Sequence, residues 1–373
     1  MIDSIPSEIR QEIRHYRQER EEGRTLQIYT PAPYEQVILE RIVKDGYRRI
    51  VIEKQDHGDI TLIGTAGTEC NISVEIAENF YGNLILKDAE LVSENGRPCI
   101  DIGDGSIVRL VLIGRNELKC GGIRVPESAK LEIGGDGKLS ITIDGSGCYA
   151  IGNDGQSRHG DMLFEQGVSV TNRSSVGICI GSGLGGRITI VLGQFNLNMA
   201  CYYGVGIGSL YVDTDLDLFA CDISIEMSVC TGTAIGSLDG SCLAYLHSAS
   251  AKLYLSGSEL VGIGTVNGSR CDARISEASA EFKIFANHCL VIAAPKGSTV
   301  FQLSRAGMQI YAEGVRARVF GDRQDDTDVQ LINSDISVSL LCTEDSPDDP
   351  QFENIKMTGG RANITINERK ITL

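Results

Sequence analysis

Asp213, Asp215 and Asp217 occupy three alternate positions in one short stretch, with Leu216 and Leu218 interleaved. Alternation of this kind is the mark of a strand with one buried face, so the three carboxylates point outward together. Residues two apart on a strand stand roughly 7 Å from each other. That separation suits a pair of carboxylates acting on a glycosidic bond, and makes these three the catalytic candidates. Their oxygens are also the ligand type that Ca²⁺ takes. No other cofactor is expected, because no Cys/His set has zinc spacing.

A 28-residue ruler carries the same outward positions into neighbouring segments. It selects Asp161 and Glu165, Arg187 and Thr189, then Ser241, Leu243 and Tyr245, then Arg270, Asp272 and Arg274. Of these, Asp161, Arg187, Tyr245, Arg270, Asp272 and Arg274 are candidate ligand contacts. The plainer reading of such a face is a solvated sheet with charge pairs between strands. The turn from Gly152 to Asp161 contains His159, which with Asp154 or Asp161 could carry acid–base work. Tyr202 and Tyr203 form either a platform for a sugar ring or the cover of a corner. Gly181–Gly186 matches the glycine spacing of a dinucleotide-binding turn, but a strand-like run, Arg187–Val191, follows where that reading needs a helix. The chain has no nucleophile elbow, Walker loop or HExxH sequence.

What must position these residues is a repeat. Gly-Ile-Gly or a close relative recurs with its isoleucine at Ile102, Ile123, Ile151, Ile180, Ile207, Ile235, Ile263 and Ile292, and Phe320 continues the series. After a short first step the spacing is 27 to 29 residues. Each unit has three apolar runs separated by Gly, Asp, Asn and Ser; one unit places Leu131 and Ile133, then Leu139, Ile141 and Ile143, in alternation. Three short strands per repeat, with no amphipathic helix between them, predict stacked coils of a parallel β-helix. The marker isoleucine points inward and stacks on its counterpart in the next coil, and its glycines form a tight corner.

The chain of 373 residues is 42% hydrophobic with a net charge of −16. That charge disfavours nucleic acid and anionic membranes as partners. No run reaches transmembrane length. Tryptophan is absent and aromatic residues make up 6%, which suits a narrow aliphatic interior. Twelve cysteines include no CxxC pair, and several keep the repeat register: Cys99, Cys120, Cys148 and Cys289 each precede a marker by three residues, and Cys242 and Cys271 take inward positions. They read as reduced thiols in small apolar ladders. With no signal-peptide pattern at the start, the expected location is the cytoplasm or a phage particle, or secretion with a signal removed.

Residues 1–48 differ from the rest. Residues 4–23 form a helical pattern with Ile5, Ile9, Ile13 and Tyr16 on one stripe, and Tyr34–Asp45 gives a second. The second is expected to cap the open end of the solenoid, and the first to assist it or to mediate oligomerisation. Residues 49–373 are expected to form the β-helix, with acidic loops at 322–328 and 343–351.

Units such as Val125–Ile141, closed by Tyr149–Gly155, resemble the Gly-rich repeats of bacterial surface proteins of the right-handed parallel β-helix type, often labelled carbohydrate-binding. The resemblance spans about residues 95–295. It implies right-handed coils, in keeping with general chirality, and a non-enzymatic binding or scaffold protein with a polysaccharide or other glycan as ligand. The alternatives are a polysaccharide-degrading hydrolase or lyase using the aspartate face, and a phage tail fibre or spike component.

Overall fold

A computed structural model of the chain describes residues 27–54, 56–94, 96–145, 148–321, 326–344 and 355–371. They form a parallel β-solenoid of about 11 turns. Each turn contributes one strand to each of three parallel sheets. The first sheet runs from Gln36–Ile38 through Asp56–Ile63, and later through Arg187–Ile190, Thr214–Phe219, Cys242–His247 and Arg270–Ser276. The second contains Lys138–Gly145 and Val168–Ser174 and the first halves of the long strands Gly193–Ser209, Cys221–Ser237, Ser250–Thr265 and Ser279–Ala293. The second halves of those long strands bend into the third sheet.

The marker column lies in the third sheet. Ile123, Ile151, Ile180, Ile207, Ile235, Ile263, Ile292 and Phe320 pair in unbroken register, and each is buried. The expected first member departs from it: Ile123 pairs with Ile100, not with Ile102, which itself pairs back to Ile76. The short first step in the sequence is this change of register. After the marker, Gly152, Gly181, Gly208, Gly236 and Gly264 adopt φ between +135° and +142°. A Cβ on Gly208 would lie 1.8 Å from the Gly236 carbonyl oxygen, so the corner admits no larger residue. Beside the main core, Ile178, Val205, Val261 and Leu290 form a separate cluster with Leu210, Leu238 and Val266 from the following corners.

The helical cap expected at Tyr34–Asp45 is not formed. Gln36–Ile38 is a strand paired to Thr61–Ile63, and only the six residues Leu39–Lys44 are helical. β-branched Val37 and Ile38 gain ladder hydrogen bonds there, whereas one and a half helical turns have little cooperativity of their own. Leu39 and Ile42 are buried in the core that the segment was expected to cover. Pairing already begins at Gln27–Tyr29, which joins Tyr47–Ile50. The helical pattern at 4–23 lies outside the described residues, as do most of the two acidic loops. Beyond them, Ile355–Ile366 adds a last strand, and Arg369–Ile371 turns back antiparallel onto it.

All twelve cysteines are free. The expected thiol ladder is realised by Cys242 and Cys271, which are register partners on the buried face of the first sheet. Cys120 and Cys148 are only half-buried, because they sit where the chain turns into the third sheet. No helix among the described residues is long and apolar enough to cross a membrane.

Candidate functional site

Alternation along the first sheet decides which side chains face outward. Within Thr214–Phe219, Leu216 and Leu218 are buried and Asp215 is exposed. Register between coils then sets the neighbours. Lys130 pairs with Asp161, and Arg187 pairs with Asp215, which pairs with Leu243 and through it with Asp272. One outward column therefore carries charges of alternating sign from Lys130 to Asp215, then Leu243 and a second carboxylate, Asp272, with neighbouring strands about 4.8 Å apart. The next column carries Thr189, Asp217, Tyr245 and Arg274.

A cleft of about 620 Å³ opens at the start of these strands. Asp161, Asp213, Asp215 and Asp272 line it, as do Arg158, Arg187 and Arg270. Eight residues selected by the ruler or the aspartate triplet, Ser241 and Leu243 among them, thus share one cleft, and His159 joins them from the neighbouring turn. Asp213 precedes the strand and accepts a hydrogen bond from the Ser241 amide at 2.8 Å, which ties the corners of adjacent coils together. Asp217 is drawn aside by Arg187 at 3.4 Å. The side chain of Asp215 has no ion pair or hydrogen bond among the described residues, so its oxygens are open to a ligand.

Asp272 is a different kind of carboxylate. It is outward by alternation yet only 6% exposed, because Arg270 and Arg274 close over it. Arg274 Nε and Nη2 lie 3.2 and 3.4 Å from its oxygens and Arg270 Nη2 lies 3.7 Å away. A buried carboxylate demands such pairing. Asp272 therefore holds the two arginines in place and is not free to react.

His159 is buried, and its ring packs against Gly186, where a Cβ would approach Cε1 and Nδ1 to 2.4 Å. Its Nδ1–H donates to the Gly160 carbonyl at 2.7 Å. Nε2 is buried with no partner among the described residues. Burial pushes the imidazole down to about 4, against smaller opposing effects of the Gly160 hydrogen bond and Asp161. It is neutral near pH 7. Asp154 is not joined to it: the Asp154 carboxylate accepts from the Gln156 amide at 2.9 Å and shapes the turn. Tyr202 and Tyr203 are exposed and meet edge to face at 4.8 Å, but they lie on the long strand Gly193–Ser209, at the corner between the second and third sheets and outside the cleft.

The structure adds residues that were not expected. Phe219 pairs with His247, and His247 with Ser276, in the outward column beyond Tyr245. Tyr245 stacks on His247 at 6.0 Å and 14°, and Phe219 meets Tyr245 edge-on at 5.8 Å. Ser276 Oγ lies 2.7 Å from His247 Nδ1 and 3.4 Å from the Tyr245 hydroxyl. The signal was available, since Phe219 and His247 are separated by the same 28 residues as Asp217 and Tyr245. The first sheet thus presents carboxylates and guanidinium groups at one edge and an aromatic group beside them. Among the described residues no cluster of His, Cys, Asp and Glu has the geometry of a metal site. Comparison with family models, curated proteins and solved structures returns no match for this chain, so its function is argued from this geometry.

Proposed function

We propose that this protein is a non-enzymatic binding solenoid for a saccharide, held on the outward face of the first sheet. One observation carries the reading: Asp215 and Arg187, with Asp213 and Arg270 around them, converge from a span of four successive coils on one open cleft, with Tyr245 and His247 stacked beside it. Carboxylates accept hydrogen bonds from vicinal hydroxyls, guanidinium groups donate to ring and hydroxyl oxygens, and an aromatic face packs against the apolar side of a sugar. The glycan preference implied by the repeat resemblance points the same way. A glycan array followed by calorimetry tests the reading. Saccharide binding that weakens in Asp215→Ala and Arg187→Ala supports it, and the absence of binding to any saccharide removes the ligand class.

Carboxylate catalysis on a polysaccharide is the second reading. It is favoured by the unpartnered Asp215 side chain two residues from Asp213 on the same cleft. Release of reducing ends from a polysaccharide panel, lost in Asp213→Asn and Asp215→Asn, would establish it. Reducing-end release that survives both substitutions would discard it.

A further inference from the structure

The second sheet presents an outward face unlike that of the first. Register places Ser140, Ser169, Asn196 and Ser224 in one column along the solenoid axis. Thr142, Thr171 and Asn198 form the adjacent column. Among the described residues none of these side chains hydrogen-bonds to the protein. The columns run into three rings: Tyr254 to Phe285 at 5.6 Å and Phe285 to Tyr311 at 5.5 Å. Lys283 is the register partner of both Tyr254 and Tyr311, and Phe285 lies one outward position further along the middle strand, so the rings zigzag across three coils. Tyr254 is 49% exposed. Grooves of about 240 and 360 Å³ indent the same face, the first lined in part by Thr171, Asn198, Tyr254 and Ser256 and the second by Lys252 and Gln309.

We propose that this face is a second binding track, for an uncharged linear polysaccharide lying along the solenoid axis and anchored on the Tyr254–Phe285–Tyr311 rings. Unbonded hydroxyl and amide groups repeat along it once per coil, about every 4.8 Å. Such an array offers donors and acceptors to a chain with repeating hydroxyl edges, and the rings offer apolar surface to sugar faces. Between Ser140 and Ser224, and between Thr142 and Asn198, the two columns carry no charge; the one charged residue between Asn198 and Tyr254 is the carboxylate of Glu226, which would repel a polyanion and accepts hydroxyl hydrogen bonds from a neutral chain. Lys283 beside the rings is paired to Glu281 at 2.6 Å, which leaves little free positive charge there for a polyanion such as nucleic acid. The proposal shares the saccharide class with the first-sheet reading but uses none of its residues.

Affinity electrophoresis of the full chain through gels containing neutral polysaccharides (dextran, xylan, laminarin and hydroxyethylcellulose) tests it. At least one is expected to retard the native protein. Tyr254→Ala should weaken that retardation about tenfold in dissociation constant, and Tyr254→Phe should restore it. In an Arg187→Ala background, which removes the first-sheet contribution, Tyr254→Ala should weaken it by the same factor. Circular dichroism and urea midpoints confirm that each variant is folded. Retardation by none of the four, or retardation equal in Tyr254→Ala and native protein, overturns the track. Retardation lost in Arg187→Ala and kept in Tyr254→Ala overturns it while leaving the first-sheet reading intact.

Discussion

Arg187 stands in register with Asp215 on the neighbouring strand, yet its guanidinium reaches diagonally to Asp217, 3.4 Å away. The diagonal pairing leaves Asp215 open on the cleft and sets Asp217 beside Tyr245. Ordering of the cleft therefore depends on a contact that the pairing of strands alone would not select.

Because the Arg187 side chain is 63% exposed, the ion pair is screened and adds little to folding. Arg187→Ala is expected to change stability by less than about 1 kcal/mol. Its effect should appear in ligand affinity. A urea midpoint equal to that of the native chain, together with weakened saccharide binding by calorimetry, is the expected result. Arg187→Lys should not rescue fully, since an ammonium lacks the planar fork.

At the corner after the marker, Gly208→Ala forces a Cβ to within 1.8 Å of the Gly236 carbonyl at φ +142°. A loss of about 3 kcal/mol or more is expected. Gly67→Ala is the control: φ is +81°, but nothing lies within 4 Å of the added carbon, and the cost should be about 1 kcal/mol. Urea unfolding of the two variants side by side measures the difference. Equal losses would show that close approach between coils does not matter.

His159 ties stability to pH. Its folded-state value near 4 lies below the ordinary 6.5, so between those values the unfolded chain binds a proton that the folded chain refuses. Stability contributed by the neutral ring is present above pH 6.5 and is lost as pH falls towards 4, by about 3 kcal/mol in all. His159→Gln should flatten this part of the profile. Urea midpoints at pH 7, 5.5 and 4.5 for both proteins decide it, and parallel profiles would refute the assignment.

Thiol reactivity should follow depth. Cys179 is fully buried and desolvation pushes its thiol well above the ordinary value, whereas Cys120 and Cys230 are half-buried. Iodoacetamide labelling of the native chain, read by peptide mass spectrometry, should modify Cys120 and Cys230 and spare Cys179 until denaturant is added. Early labelling of Cys179 would mean that the interior opens readily.

By itself the sequence determined the architecture and the outward residues. A 28-residue period combined with period-two alternation leaves one stacking solution, because each unit buries its apolar face only against its neighbours. The period alone therefore puts Asp215, Arg187 and Asp272 on one outward surface. Three things depended on tertiary structure. Residues 36–38 became a strand because Thr61–Ile63 offered them a partner, which local helical periodicity could not reveal. Ile102 left the marker column because a shorter turn moved Ile123 onto Ile100. His159 and Asp154 lie close in sequence but do not bond to each other, since the ring is buried against Gly186 while the Asp154 carboxylate is taken up by the Gln156 amide of its own turn. Periodicity reports the direction of a side chain, whereas partners, burial and the depth of a cleft are set by which coils meet and at what register.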